Sequence, residues 1–391
     1  MTNSSAWVHN LDPFLIQLSG SLGIRWYGMA YLAAFVVGAM IMIFLAKRGR
    51  RTISPDQVTD YITYCVLGTM IGGRLGYAVF YSPDLLTDFS PTTIFGHEIP
   101  FWGVLKVWEG GMASHGGMIG VFCAALLFAR RHKLDWRHLG DLTVLGGSVG
   151  FFFGRIANFI NGELFGRAAS PDVKWAVKFP SETFLWLQHD KGLSIPEFEG
   201  QTNLLSKLSE TVQKAGVNIE QWNAWLSEVR TSGNARYQIQ TVLNNIVDQI
   251  QNGNEALRET LGQVLTPRHP SQLYAALLEG LLLFLVTFLF WKKPRKPGVV
   301  GSVWFIGYAL VRLIDEQFRM PDADIGFGLL GLTRGQQLSV GLLIVGIGLL
   351  VWMLKRPAEV ISGWGPEAQR LRDEDLAKPS SAKPNPSKKK K

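Results

Sequence analysis

WYGMAYLAAFVVGAMIMIFLA, Trp26–Ala46, runs for 21 residues without a charge, and Lys47, Arg48, Arg50 and Arg51 follow at once. About 20 apolar residues carry a helix across the hydrocarbon core of a bilayer. A helix suits that place because it satisfies its own backbone hydrogen bonds where water is absent. The pattern recurs along the chain. Leu338–Leu354 holds 17 residues without charge, Gly111–Ala129 is interrupted only by His115, and Leu273–Trp291 only by Glu279. Val58–Tyr81, Leu139–Ile160 and Val299–Ile314 are apolar blocks with internal charges. The reading is an all-α integral membrane protein with seven transmembrane helices. Composition agrees: of 391 residues, 47% are hydrophobic and 18% charged, against about 25% charged in soluble domains. A large soluble protein would not gather its Lys and Arg into every second gap between apolar blocks.

Those gaps also set orientation. Basic clusters follow the first, third, fifth and seventh blocks: Lys47–Arg51, Arg130–Arg137, Lys292–Lys296 and Lys355–Arg356. Between the second and third, Ser82–Gly110 holds only Lys106. The positive-inside rule then places the N-terminus outside and the C-terminus in the cytoplasm. Asp12 and the lack of a basic stretch before the first block speak against a cleavable signal peptide. The net charge of +8 is divided among loops, not gathered on the single basic face that nucleic-acid binding needs. Cys65 and Cys123 fall inside blocks and read as small apolar fillers.

Two regions lie outside the expected spans. Residues 168–267 carry 8 Lys/Arg against 11 Asp/Glu and read as an extracytoplasmic head with amphipathic helices in its second half. It interrupts a catalytic body spanning 1–356. Residues 357–391 read as a basic cytoplasmic tail, and their Pro, Ser and Lys content predicts disorder.

The informative residues are ionisable groups inside the blocks. An Arg or Asp at mid-span costs about 2.5–3.5 kcal/mol on insertion scales, so such residues mark a polar cavity. Gly72-Gly73-Arg74-Leu75-Gly76-Tyr77 is one cluster; Gly72 and Gly76 share a helix face and allow close packing. Trp108-Glu109-Gly110-Gly111-Met112-Ala113-Ser114-His115-Gly116-Gly117 surrounds His115 with glycine, and a pKa near 6.5 suits proton transfer at neutral pH. Gly154-Arg155-Ile156-Ala157-Asn158-Phe159-Ile160-Asn161-Gly162-Glu163-Leu164-Phe165-Gly166-Arg167 puts Arg155, Asn158 and Gly162 on one helix face. Arg268-His269-Pro270-Ser271-Gln272-Leu273-Tyr274 opens the fifth block. Arg312, Glu316 and Arg319 share a face at the end of the sixth, where Arg312 and Glu316 can pair. With Tyr27, all these clusters lie toward the outer ends of their blocks. They describe one Arg-rich cavity open to the outer leaflet. Arg is suited to bidentate phosphate binding, and a phospholipid headgroup is the phosphate available at that depth. No metal-ligand cluster, Walker loop or dinucleotide fingerprint is apparent.

The run Gly154–Arg167 resembles the signature of the prolipoprotein diacylglyceryl transferase family. So do Gly73–Tyr77, Met112–Gly117, Arg268–Tyr274 and Arg312–Asp322, in the family's order, over roughly residues 10–355. Ala157 stands where glycine is usual, Ala113-Ser114 precede His115 where Ser-Phe is commoner, and the head is longer than expected. The resemblance implies transfer of the sn-1,2-diacylglyceryl group of phosphatidylglycerol to the lipobox cysteine thiol of a prolipoprotein, forming a thioether and releasing glycerol 1-phosphate. This is the first step of bacterial lipoprotein maturation, carried out in the bacterial cytoplasmic (inner) membrane and without a cofactor.

The chemistry requires a thiolate and fixed donors for the departing phosphate. On this reading Arg155 and Arg312 clamp phosphate and Glu316 positions Arg312. His115 is the first candidate base, with Tyr27 or a substrate phosphate oxygen as partners in that work. Asn158 and Glu163 hold the headgroup or orient the arginines, and Gly166 allows close backbone approach. Arg74, Asn161, Arg268 and Arg319 are further phosphatidylglycerol-binding candidates. A transporter, a lipid enzyme with an oxygen acceptor and a non-catalytic prolipoprotein binder are the competing readings. Motif order favours the transferase.

Overall fold

The computed structural model describes residues 6–19, 22–94, 97–107, 110–320 and 332–377. Three short strands, β1 (Trp7–Val8), β2 (Phe14–Ser19) and β3 (Leu22–Arg25), precede α1 (Trp26–Arg48) and α2 (Pro55–Phe80). A hairpin, β4 (Pro91–Ile94) and β5 (His97–Pro100), leads to α3 (Ser114–His132) and α4 (Trp136–Ile160). The head follows as β6 (Val177–Lys178), α5 (Glu182–Asp190), α6 (Ser209–Lys214), α7 (Ile219–Ser227), α8 (Gly233–Gln251), α9 (Glu255–Val264) and β7 (Pro267–Arg268). Next comes one continuous helical stretch: α10 (Ser271–Ala275), a π-helical segment (Ala276–Leu282) and α11 (Leu283–Phe290). The chain ends in α12 (Val299–Asp315), α13 (Arg334–Lys355) and α14 (Pro366–Ala377).

Every apolar block read from the sequence is helical. Among the described residues, four helices are long and apolar enough to cross a bilayer: Trp26–Arg48, Trp136–Ile160, Ser271–Phe290 and Gly335–Lys355. The remaining three are shorter or diluted by glycine and polar residues.

The chain divides into two compact units. The first comprises Met1–Ala34, Ser148–Phe284 and Phe305–Ile347. It contains the head, which has its own core of Trp186, Phe198, Leu205, Trp222, Ile239, Ile246 and Leu261. β6 joins β1 in parallel and β7 in antiparallel pairing. His9 fastens the N-terminal segment there: its Nε2–H donates to the Phe159 carbonyl at 2.7 Å, and its ring stacks on Phe179 at 5.4 Å. Burial outweighs that hydrogen bond and lowers the His9 pKa to about 4.

The second unit comprises Phe35–Gly147, Leu285–Trp304 and Gly348–Lys391. Here α2 opens with a capping box: Ser54 Oγ accepts from Gln57 N at 3.2 Å, and Gln57 Oε1 accepts from Ser54 N at 2.9 Å. Such reciprocal bonds satisfy donors that a helix start leaves open. α2 and α3 meet through glycines. A Cβ on Gly72 would lie 2.8 Å from Gly120 Cα, and one on Gly76 would lie 2.7 Å from Gly116 Cα. The backbones approach as small-residue faces allow, so Gly72 and Gly76 are explained by packing. The Asp141 carboxylate accepts from Gly298 N at 2.8 Å and Gly301 N at 2.6 Å, capping the start of α12. Cys65 is buried and Cys123 exposed.

The first part of the expected tail is ordered. Residues 357–377 form a strap that ends in α14, and residues 378–391 lie outside the described residues. Asp375 accepts from Arg50 Nε at 2.7 Å. Trp364 stacks on Phe288 at 4.9 Å and donates its Nε1–H to the Phe288 carbonyl at 2.9 Å. One apolar anchor and charge-assisted bonds outweigh the compositional bias, which is confined to the terminal residues.

Candidate active site

The first unit gathers six ionisable side chains at the ends of α4 and α12 and in the π segment. Arg155, one turn before the end of α4, places Nη2 3.0 Å from Glu279 Oε2. Arg312, on α12, places Nη1 3.5 Å from Glu279 Oε1 and 2.8 Å from Asp315 Oδ2. Its Nη2 lies 2.9 Å from Glu316 Oε2. Arg319 Nε stands 3.8 Å from the same oxygen, and Thr333 Oγ1–H donates to Glu316 Oε1 at 2.9 Å. Glu279 and Asp315 have no exposed surface, whereas the side chains of Arg155 and Arg312 are 16% exposed. Fully buried carboxylates thus hold arginine side chains that remain partly exposed.

Local structure explains the convergence. Glu279 lies within the π-helical segment Ala276–Leu282. Such segments widen a helix by one residue per turn and often occur at functional sites. Neighbouring Gly280 sits so close to α4 that a Cβ would fall 2.7 Å from Phe152 Cα. Helix contact there brings Glu279 level with Arg155. The i, i+4 spacing of Arg312 and Glu316 closes as their sequence separation predicted.

A second cluster adjoins the end of α4. Asn158 Nδ2 donates to Tyr27 Oη and to Glu163 Oε1, each at 2.7 Å. Gly162 has φ +68° and Leu164 φ +55°, and this left-handed pair turns Glu163 back toward Asn158. Gln272 Nε2–H donates to the Glu163 carbonyl at 2.7 Å, and Ser271 Oγ–H to that of Leu164 at 3.0 Å. Asn158 and Glu163 therefore orient each other and Tyr27; among the described residues they make no bond to Arg155 or Arg312.

Several further candidates have structural partners. A Cβ on Gly166 would lie 2.7 Å from the His269 carbonyl oxygen and also meet that of Phe318. The close approach its lack of side chain permits is to the protein's own backbone. Arg268 is fully buried, with Nη2 2.9 Å from Glu182 Oε1 and Nη1 2.9 Å from Glu197 Oε1. Those carboxylates raise its pKa against the opposing, larger effect of burial; it holds the head in place. Asn161 lines a small cavity with His9, Gly162, Pro180 and Ser181.

In the second unit, Arg74 is 4% exposed. Its Nε donates to the Val104 carbonyl at 2.7 Å and its Nη2 to those of Gly103 at 2.8 Å and Lys106 at 3.0 Å. Its Nη1 donates to those of Gly110 and Gly111. It pins a loop, and its five donors are all committed to backbone. His115 is exposed in the first turn of α3. Trp108, Glu109, Pro321 and Asp322 of the quoted motifs lie outside the described residues.

Glu279 and Asp315 are the site residues that the sequence assignment lacked. Glu279 stood out as the sole charge in its apolar block, and Asp315 stood beside Glu316. Neither position reveals its partner, because Glu279 reaches across 124 and 33 positions to its two arginines. Among the described residues no group of three His, Cys, Asp or Glu could hold a metal ion.

The chain is 47% identical over 357 residues to a phosphatidylglycerol–prolipoprotein diacylglyceryl transferase of Bdellovibrio bacteriovorus, covering 91% of this chain and 97% of that one. It is 34% identical to the protein of that name from Paraburkholderia xenovorans, covering 90% and 98%, and 35% identical to that from Burkholderia cenocepacia, covering 89% and 97%. The sequence pattern of the prolipoprotein diacylglyceryl transferase family matches residues 13–352, so the paired arginines and the Tyr27–Asn158–Glu163 cluster stand in a chain that belongs to this family.

Proposed function

We propose that the chain transfers the sn-1,2-diacylglyceryl group of phosphatidylglycerol to the lipobox cysteine of a prolipoprotein. The observation that carries this reading is the convergence of Arg155 and Arg312 on one carboxylate, at 3.0 and 3.5 Å. A phosphate can bridge two guanidinium groups as Glu279 does. The thiolate sulfur attacks the glycerol carbon, the C–S bond forms, the C–O bond to phosphate breaks, and glycerol 1-phosphate departs. Headgroup phosphate passes from one negative charge to two as the thiolate loses its own. Fixed guanidinium groups therefore bind the transition state more tightly than the ground state, which is what accelerates a reaction.

Arg155 and Arg312 are assigned to the phosphate, with Glu316 positioning Arg312 and Arg319 adding positive charge. Tyr27, Asn158 and Glu163 form a hydrogen-bonded wall for the glycerol hydroxyls. His115 is assigned as the base for the thiol, with Tyr27 and the substrate phosphate as the other acceptors. The topology proposed is seven spans with the N-terminus outside, in the bacterial inner membrane; the alternating basic gaps support it.

The test is purified protein with phosphatidylglycerol and a lipobox peptide, read by intact mass. The expected gain is one diacylglyceryl group, absent when the peptide cysteine is serine. Arg312→Lys keeps the charge but loses the planar fork, and a fall of about 10²–10³ in kcat/KM is expected, as for loss of an oxyanion donor. Full activity of that variant would end the bidentate assignment.

A further inference from the structure

Asp315 is placed where an ionised carboxylate is poorly supported. It is fully buried. It is the last residue of α12, the negative end of the helix dipole, where an anion is disfavoured. Two more carboxylates, Glu279 and Glu316, share Arg312 with it. Among the described residues, Asp315 Oδ2 is hydrogen-bonded by Arg312 at 2.8 Å, while Oδ1 is buried without a partner. The other charged groups acting on it are Arg319 and Arg155, and Tyr308 lies within the same field, subject to Glu279, Arg312, Arg155 and Arg319. Among the described residues, Arg312 is thus the one close counterion of a carboxylate that has little else.

A phosphate that engages Arg312 competes for the same N–H groups. Removing Arg312 from Asp315 would leave a buried, unpaired anion, and such groups protonate instead. We propose that phosphate binding at Arg312 is coupled to uptake of one proton from solvent by Asp315, which makes Asp315 the positioning residue that releases the guanidinium to the headgroup. The carboxylate becomes a neutral acid, able to donate as well as accept, and the charge brought by the phosphodiester is balanced within the cluster. The proposal rests on the reading that Arg312 takes the headgroup phosphate.

Short-chain phosphatidylglycerol would be titrated calorimetrically into the full-length protein in detergent, in buffers of low and high ionisation enthalpy, without acceptor peptide. The expected wild-type result is uptake of about one proton per lipid bound, with the Kd for the lipid rising up to tenfold per pH unit where free Asp315 is ionised. Asp315→Asn should bind without proton uptake and show a Kd flat with pH; a merely structural Asp315 would not change the pH profile of binding. Unchanged proton uptake in Asp315→Asn, or wild-type binding independent of buffer, overturns the coupling alone. A wild type that neither binds nor transfers overturns the function reading and the coupling with it. If Asp315→Asn fails to fold, the wild-type buffer dependence decides.

Discussion

Glu279→Gln separates two roles of the bridging carboxylate. The change keeps shape and removes one negative charge from a side chain with no exposed surface, 3.0 Å from Arg155 and 3.5 Å from Arg312. Removing one partner from a buried ion pair costs about 3–5 kcal/mol. The amide retains an acceptor, and a neutral hydrogen bond returns about 1 kcal/mol. A net loss of about 2–4 kcal/mol is therefore expected, read as earlier thermal unfolding in detergent by tryptophan fluorescence. Lipid binding should move the other way. A phosphate on the far side of the guanidinium groups would sit on the order of 7 Å from the Glu279 carboxylate, where like charges repel by about 2 kcal/mol at an effective dielectric of 20. KM for phosphatidylglycerol should fall at least about threefold and at most about 30-fold. A variant as stable as wild type would refute the bridging role. A raised KM would show that Glu279 shapes the clamp and does not compete with its ligand.

Three further outcomes are expected. Arg268→Met leaves Glu182 and Glu197 without their cation and should destabilise the head by about 3–5 kcal/mol, seen as faster proteolysis within residues 168–267. His9 has its pKa lowered to about 4, so the unfolded chain takes a proton that the folded one refuses. Its contribution is present above pH 6.5 and is lost as pH falls from about 6.5 toward 4, by at most about 3 kcal/mol; His9→Gln should flatten the pH dependence of head unfolding over that window. Gly72→Val places methyl groups against the α3 backbone, where even a Cβ lies 2.8 Å from Gly120 Cα, and should lower the unfolding temperature through about 1–3 kcal/mol of overpacking or more.

The helices were legible because lipid imposes a simple rule on sequence: an apolar run of fixed length with charges at its ends. Trp26–Arg48 follows that rule, and the basic last turn marks its end. The strap was misread because composition averages over a segment. Trp364 and Asp375 make specific contacts in a stretch whose mean is polar, and the lysines that biased the reading lie beyond Ala377. The head's amphipathic helices were visible as periodicity, but their packing on Trp222 and Trp186 depends on contacts that periodicity does not rank.

At the site, what the sequence reveals is the presence of charge, and what it conceals is the pairing. Arg74 and Arg155 both stand inside apolar helices, so on insertion cost they look equivalent. The structure separates them by what they touch. Arg74 is bonded to five carbonyls of residues 103–111 and is 4% exposed, so no donor remains for a ligand. Arg155 and Arg312 are held by carboxylates that a phosphate can replace, and each side chain keeps 16% of its surface open. A carbonyl cannot be protonated away or displaced at small cost, whereas a carboxylate already crowded by two others can be. This difference in exchangeable partners distinguishes a guanidinium that builds the fold from one that is available for chemistry.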